Sequence, residues 1–272
     1  MRFTVSSTAL SSKLNALARV INSKNSLPIL ADFLFDIKDN VLYLTASDSE
    51  NVMNTQLELF ESDGDGRFAV GNHDLLEAVK VFSEQPLTFD INQETNIAKI
   101  SYQNGLFSLP IENADEYPQT QAISDGATQI VIADAILAEN INRSLFATAQ
   151  DELRPVMNGI YFDLTPEYLA LVASDGHKLV RNKLLNIHSD IPAAFILPKK
   201  PASLLKTILG KDGGDVTIRF DERNAQISYS EGQLTCRLIE GRYPNYNSVI
   251  PQNNPNILTV DRQGLLAALR RV

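Results

Sequence analysis

Few side chains in this chain have the reactivity or spacing that chemistry requires. The histidines are His73, His177 and His188, and the only cysteine is Cys236. A metal centre would gather such residues at spacings like His-x3-His, and none of the three histidines stands in one. Cys236 has no catalytic setting and occupies the place where a related stretch carries Leu109, so it reads as a small buried hydrophobe. No Gly-rich loop ends in Lys-Ser or Lys-Thr to cradle a phosphate, and Gly213-Gly214 reads as a turn. No pair of carboxylates stands out. The expectation is a protein without an active site, metal or cofactor. One polar cluster has character, Ser174-Asp175-Gly176-His177-Lys178-Leu179, where Asp-Gly marks a tight turn between strands. Two readings fit it: a plain hairpin corner, or a surface that receives a partner, with Gly241-Arg242-Tyr243-Pro244-Asn245-Tyr246 beside it. A catalytic alternative needs Asp175, His177 and Arg242 to converge with shifted acidities.

Charge adds a second signal. The formal net charge is −9, which argues against simple coating of nucleic acid. Yet residues 1–31 hold Arg2, Lys13, Arg19 and Lys24 without one acid, and Leu197 to Lys211 holds Lys199, Lys200, Lys206 and Lys211, again without one. Both stretches are helix candidates, while acids gather in turns such as Asp63-Gly64-Asp65-Gly66. Basic helix faces are either merely solvated or aimed at an anion. The chain has no run of about 18 apolar residues, and its start, Met1-Arg2-Phe3-Thr4-Val5, reads as a strand, so a cytoplasmic protein is expected.

The elements that position these residues come in copies. Ala46-Ser47-Asp48 returns as Ala173-Ser174-Asp175, Phe35-Asp36 as Phe162-Asp163, and Ile100-Ser101-Tyr102 as Ile227-Ser228-Tyr229, each 127 residues on. A period this long means a duplicated domain. A third start, Leu258-Thr259-Val260 followed by Leu265 and Leu269, implies a truncated relative of a chain of about 380 residues. Within a copy a strand leads to a helix and three strands follow, twice over. The first helix is expected over Thr8 to Ile21, with Leu10, Leu14, Leu17 and Ile21 facing inward. Asn72 is expected to cap the next helix, and Pro201 and Gly210 bracket the last. Asp32 to Ile37 reads as a strand with Phe33 and Phe35 inside and Asp32, Leu34 and Asp36 opposite. Two helices packed on antiparallel sheet make each copy an α+β domain, and sheet is expected to run edge to edge between copies. The expected domains are 1–120, 129–253 and the start of a third at 254–272, joined by polar, Pro-rich connections.

Leu27-Pro28-Ile29-Leu30, Met157-Asn158-Gly159, Ala173 to Leu179 and Gly241 to Tyr246 together resemble the bacterial sliding clamp family, the beta subunit of DNA polymerase III, along the whole chain. The resemblance implies the DNA-clamp fold and a non-catalytic processivity subunit, built as a head-to-tail homodimer ring with helices inside and sheets outside. Double-stranded DNA would pass through without its sequence being read. The polymerase III alpha subunit, the clamp loader and other polymerases or repair proteins would dock through short linear motifs. Carried over by position, Lys24, Gln150 and Arg154 would face DNA. Lys199 and Lys200 join them on charge alone. Met157, Ser174, Gly176, His177, Lys178, Leu179, Pro244 and Val249 would form the partner pocket, and Phe107 and Leu109 the dimer contact. Lys178, Asn247 and Ser248 stand where many members carry arginine. Ring closure is not expected from these 272 residues alone, and a strand edge near residue 257 is expected to be exposed. A duplicated enzyme and a scaffold without DNA contact are the competing readings.

Overall fold

Short runs of β-branched and aromatic residues broken by Gly, Asn and Asp turns dictate many brief strands. The computed structural model describes residues 1–22, 25, 27–119, 122–210 and 213–272. The first copy runs β1 (Arg2–Ser6), α1 (Ser7–Leu17), β2 (Asp32–Lys38), β3 (Val41–Ser47), β4 (Asn51–Glu58), β5 (Glu61–Ser62), β6 (Gly66–Gly71), α2 (Asn72–Val79), β7 (Pro86–Asn92), β8 (Ile97–Tyr102) and β9 (Gly105–Glu112). The second runs β10 (Thr128–Ala133), α3 (Asp134–Leu145), β11 (Gly159–Leu164), β12 (Leu169–Ser174), β13 (Leu179–Leu184), β14 (Ala193–Pro198), α4 (Lys199–Ile208), β15 (Asp215–Phe220), β16 (Asn224–Tyr229) and β17 (Gly232–Arg237). Both lie in one compact unit, Met1–Arg242. A second unit, Tyr243–Val272, carries α5 (Arg262–Leu269), capped by the Asp261 carboxylate, which accepts from the Gly264 N–H at 2.6 Å.

The copies share their core as well as their order. Phe35 stacks on Phe68 at 5.0 Å between ring centroids, and their counterparts Phe162 and Phe195 stack at 4.5 Å. Leu10, Leu14 and Leu17 of α1 and Leu137 and Ile141 of α3 are fully buried, so each helix lays one apolar stripe on its sheets. Helices pair within a copy, α1 with α2 and α3 with α4. Between copies the sheet is continuous. β17 pairs antiparallel with β4, Gly232 opposite Thr55 through Cys236 opposite Asn51. A sheet of order β10-β15-β16-β17-β4-β3-β2-β6-β9-β8-β7-β1-β5 results, with β13-β12-β11-β14 forming a second.

Three expectations need correction. Helix α1 ends at Leu17 and not near Ile21, and the buried residue of the turn that follows is Val20. Asn72 does not cap α2. Gly71 holds the cap position, and the Asn72 amide instead donates to the Ala31 carbonyl, tying α2 to the start of β2. Asp32 and Leu34, which alternate with Phe33 and Phe35, are buried as those two are. The connection after β9 folds over them, and Leu34 is buried with Ile29, Leu30, Ala69, Ala114 and Tyr117. Finally, 258–260 forms no strand. Its counterparts β1 and β10 owe their extended form to β7 and β15, and 258–260 meets no such partner among the described residues.

Candidate functional site

Chemistry is absent from the polar turn because the fold uses up its groups. The Asp175 carboxylate accepts from the His177 and Lys178 N–H groups at 2.9 and 3.0 Å and ion-pairs with the Lys178 ammonium. The Lys178 side chain, then these backbone donors, hold Asp175 well below the usual carboxylate range. Ser174 Oγ donates to the Lys178 carbonyl at 2.8 Å and accepts from the Gly176 N–H. Gly176 sits at φ +91°, where a side chain is strained. The first copy repeats this template. Asp48 accepts from Glu50 and Asn51, Ser47 accepts from Ser49, and Ser49 takes a positive φ of 78°. So the turn geometry belongs to the repeat, while Gly176, His177 and Lys178 are particular to the second copy. An ionised Asp175 bound to its own turn is a poor proton carrier, which removes the basis for the catalytic alternative.

The loop from Phe146 to Asn158 brings two sets of expected residues together. Arg154 Nε donates to Asp151 at 2.8 Å, and the Asn158 side chain bridges both the N–H and the carbonyl of Asp151. The Arg154 guanidinium also lies over Gly176, 3.2 Å from where a Cβ would stand. Arg154, expected at DNA, therefore borders the turn expected at the partner pocket. Met157 is buried beside it in a single 3-10 turn, and Gln150 is exposed. His177 is exposed and Leu179 half-buried at the start of β13. Pro244 and Val249 are exposed residues of the second unit. Lys24 lies outside the described residues.

The helices carry the basic groups, and they divide in two. Lys200 is not free. It donates to the Val20 carbonyl at 2.7 Å and ion-pairs with Asp48, whose side chain is almost wholly buried. Lys13 of α1 pairs with Glu231 of the second copy at 2.9 Å. These two cations fasten one copy to the other and bring the start of α4 against the end of α1. Arg19, Lys199 and Lys206 are exposed and pair with no carboxylate among the described residues. Lys80 and Arg143 are neutralised on their own helices by Glu77 and Glu139. The inter-copy role of Lys200 was not visible in the sequence. Its partner Asp48 is 152 residues away, and only the repeat offset, which aligns Asp48 with Asp175, hinted that Asp48 was structural.

Strand edges supply the last feature. Phe107 and Leu109 on β9 are half-buried, Phe107 against Phe82 and Tyr102. Their counterparts on β17, Leu234 and Cys236, are 0% and 1% exposed, and burial pushes the Cys236 thiol up to about 12. The difference is the neighbour. β17 is covered by β4, whereas β9 meets only β8 and, at Ile111 and Glu112, β6, which leaves the edge from Gly105 to Leu109 unpaired among the described residues.

A duplicated α+β module with paired helices on one side of a sheet that continues from copy to copy defines a DNA-clamp protein. Models of the DNA polymerase III beta subunit match here, its N-terminal domain over residues 1–121 and its central domain over 131–245. The beta sliding clamp of Pseudomonas aeruginosa is 27% identical over 275 residues, covering all of this chain and 74% of that protein. That of Synechococcus elongatus is 27% identical over 271 residues, 97% of this chain and 71% of its own length. Among solved structures, the DNA polymerase III subunit beta of Pseudomonas aeruginosa superposes with a TM-score of 0.91 at 26% identity, covering 100% of this chain and 74% of that one. The sliding clamp of the same organism bound to griselimycin gives 0.92 at 26%, covering 100% and 73%. The chain belongs to the DNA polymerase III beta subunit family, the sliding clamps of DNA replication. Membership in this family of non-catalytic processivity factors bears out the expectation of a protein that is not an enzyme and sets aside the duplicated-enzyme reading. No helix among the described residues is long and apolar enough to cross a membrane.

Proposed function

We propose that this chain holds a replicative polymerase on its template as part of a ring that encircles duplex DNA, in the cytoplasm. The observation that carries the reading is the β17–β4 joint. It links unlike edges of successive copies, a head-to-tail step that can be repeated, and it keeps the helices of both copies adjoining through Lys200 and Lys13. Exposed Lys199, Lys206 and Arg19, with Lys24, Gln150 and Arg154, meet phosphates without reading bases, so the ring slides. Lys200 contributes to the joint and, with its half-exposed stem, only secondarily to DNA. The domains are 1–120 and 129–253, with 254–272 opening a third. Short linear motifs of the polymerase alpha subunit, the clamp loader and repair proteins dock at Met157, Ser174, Gly176, His177, Lys178 and Leu179, with Pro244 and Val249 assigned by the resemblance alone. The unpaired edge of β9, with Phe107 and Leu109, meets the neighbouring subunit. Tethering raises the local concentration of polymerase at the primer end.

Topology separates this function from the alternatives. The protein at its encoded length, placed on closed circular DNA by a clamp loader, stays bound at high salt and leaves when the circle is cut once. Equal retention on circular and linear DNA would exclude encirclement, and no retention on either would favour a scaffold without DNA contact.

A further inference from the structure

The joint between copies carries a cavity that the proposed function leaves unused. It has a volume of about 190 Å³ and lies where the turn at 47–50 and the connection after β9 meet β16 and β17 of the second copy. Its floor is the outer face of the sheet. Val52 of β4 stands opposite Thr235 of β17, and the two alternate with Met53 and Leu234, which belong to the core. Exposed Leu27 and Pro118 add apolar lining, and Glu50 and Arg237 supply the charges. The repeat builds this place twice. Ser47 pairs with Val52 across the turn, as Ser174 pairs with Leu179. Leu27 and Arg154 each precede a 3-10 turn that opens on proline. Ser49, at φ 78°, holds the place of Gly176 at φ 91°. The cavity is therefore the first copy's version of the turn assigned to partner motifs, with its side chains changed. Leu27 replaces Arg154, Glu50 replaces His177 and Asn51 replaces Lys178.

We infer that this cavity is a second peptide site, one that takes a single leucine-sized side chain of an extended segment with a lysine or arginine beside it. Volume decides the first half. Pockets for cofactors and other small molecules run to roughly 300–1,000 Å³. A cavity of about 190 Å³ is too small for these and suits one apolar anchor, seated between Leu27, Val52 and Pro118. Charge decides the second half. Arg237 lies 4.0 Å from Glu50 and 3.6 Å from Glu240, so two carboxylates share one guanidinium. An acidic residue on the peptide would add a third like charge, whereas a cation pairs with the surplus carboxylate. All three side chains are half exposed or more, so the charge sets preference and the apolar anchor sets affinity. The class of occupant, a short linear peptide, rests on the proposed reading of the second copy's turn. The cavity and its charges do not.

Three blocked tripeptides test the site: acetyl-Ala-Leu-Lys-amide, acetyl-Ala-Leu-Glu-amide and acetyl-Ala-Ala-Lys-amide. Each is titrated into the 272-residue chain with its leucine and valine methyl groups isotope-labelled for NMR. The Leu-Lys peptide should shift the Leu27 and Val52 methyl signals saturably. The Ala-Lys peptide should bind about tenfold more weakly, having lost the anchor. The Leu-Glu peptide should bind about threefold more weakly. Val52→Phe fills the cavity and should abolish the shift at Leu27. Glu50→Lys changes an exposed side chain whose carbonyl alone serves the ladder, and should reverse the preference between the Lys and Glu peptides. Leu179 methyl signals report on the second copy's turn in the same spectra, which keeps the two readings apart. Shifts at Leu179 without shifts at Val52 would overturn this inference and leave the proposed pocket standing. Absence of a saturable shift at Val52, equal binding of the Leu and Ala peptides, a preference for the Leu-Glu peptide, or an unchanged preference in Glu50→Lys would each overturn it as well.

Discussion

Gly232→Ala tests the joint between copies at its narrowest point. The added methyl would stand 2.2 Å from the Asn54 carbonyl oxygen and 3.2 Å from its carbon, both backbone atoms of β4. That is more than about 1 Å inside ordinary van der Waals contact. Backbone cannot rotate aside, so β17 and β4 must part, stretching the ladder from Gly232 to Cys236 and uncovering Leu234. Overpacking of this kind costs about 1–3 kcal/mol, and weakened ladder bonds add about 1 kcal/mol, so a loss of roughly 3 kcal/mol is expected. The chain contains its own control. Gly105 occupies the same place in the first copy, and a methyl there would meet the Tyr102 hydroxyl at 2.6 Å, the far end of a side chain that can swing away. Removing a strand glycine also recovers about 0.5 kcal/mol of unfolded-state entropy, so Gly105→Ala should be close to neutral. Urea unfolding at low protein concentration reads both variants. Equal losses for the two glycines, or no loss for Gly232→Ala, would refute the argument that the copies are joined by a close strand pairing.

Three more outcomes follow from the same geometry. Lys200→Met removes the bond to the Val20 carbonyl and the partner of nearly buried Asp48, and should lower the urea midpoint by the equivalent of about 1–2 kcal/mol. Asp32 is raised to about 6, first by burial and then by the Glu112 charge, so the folded chain binds a proton that the unfolded chain gives up. The contribution of Asp32 to stability is full below its ordinary value and is lost as pH rises through about 6. Asp32→Asn should gain about 1–2 kcal/mol at neutral pH and little in mild acid, read by unfolding at the two pH values. Finally, Lys199→Ala and Lys206→Ala should each reduce the slope of log affinity for DNA against log salt by about 1, leaving unfolding midpoints nearly unchanged.

What the sequence revealed and concealed divides along range. Duplication, the antiparallel α+β plan and the buried stripes of α1 and α3 rest on local periodicity, and Leu10, Leu14, Leu17, Leu137 and Ile141 are buried as the spacing requires. The Asp175 turn was legible for the same reason, since an Asx turn is closed by neighbours within three residues. Features set by distant segments were not. Asn72 reads as a cap until Ala31 is placed beside it. Leu34 reads only as a residue opposite Phe33 and Phe35, and what buries it is the distant connection carrying Ala114 and Tyr117. The strand expected at 258–260 had the right residues and lacked a partner. Lys200 looked like a phosphate ligand because charge composition cannot distinguish a cation facing solvent from one committed to Asp48. The β17–β4 register depended on Gly232 opposing Thr55 across 177 positions of chain, with nothing local to mark it.

The central claim is that the helical side of the joined copies, and not the sheet side, faces DNA. A photo-reactive group placed in turn at Arg19, Lys199 and Lys206 on or beside the helices, and at Lys99 of β8 and Lys183 of β13 on the sheets, reads this directly with protein loaded on closed circular duplex. Cross-links to DNA from the three helical positions and none from the two strand positions are predicted. Efficient cross-linking from Lys99 or Lys183, with the helical positions silent, would contradict the account.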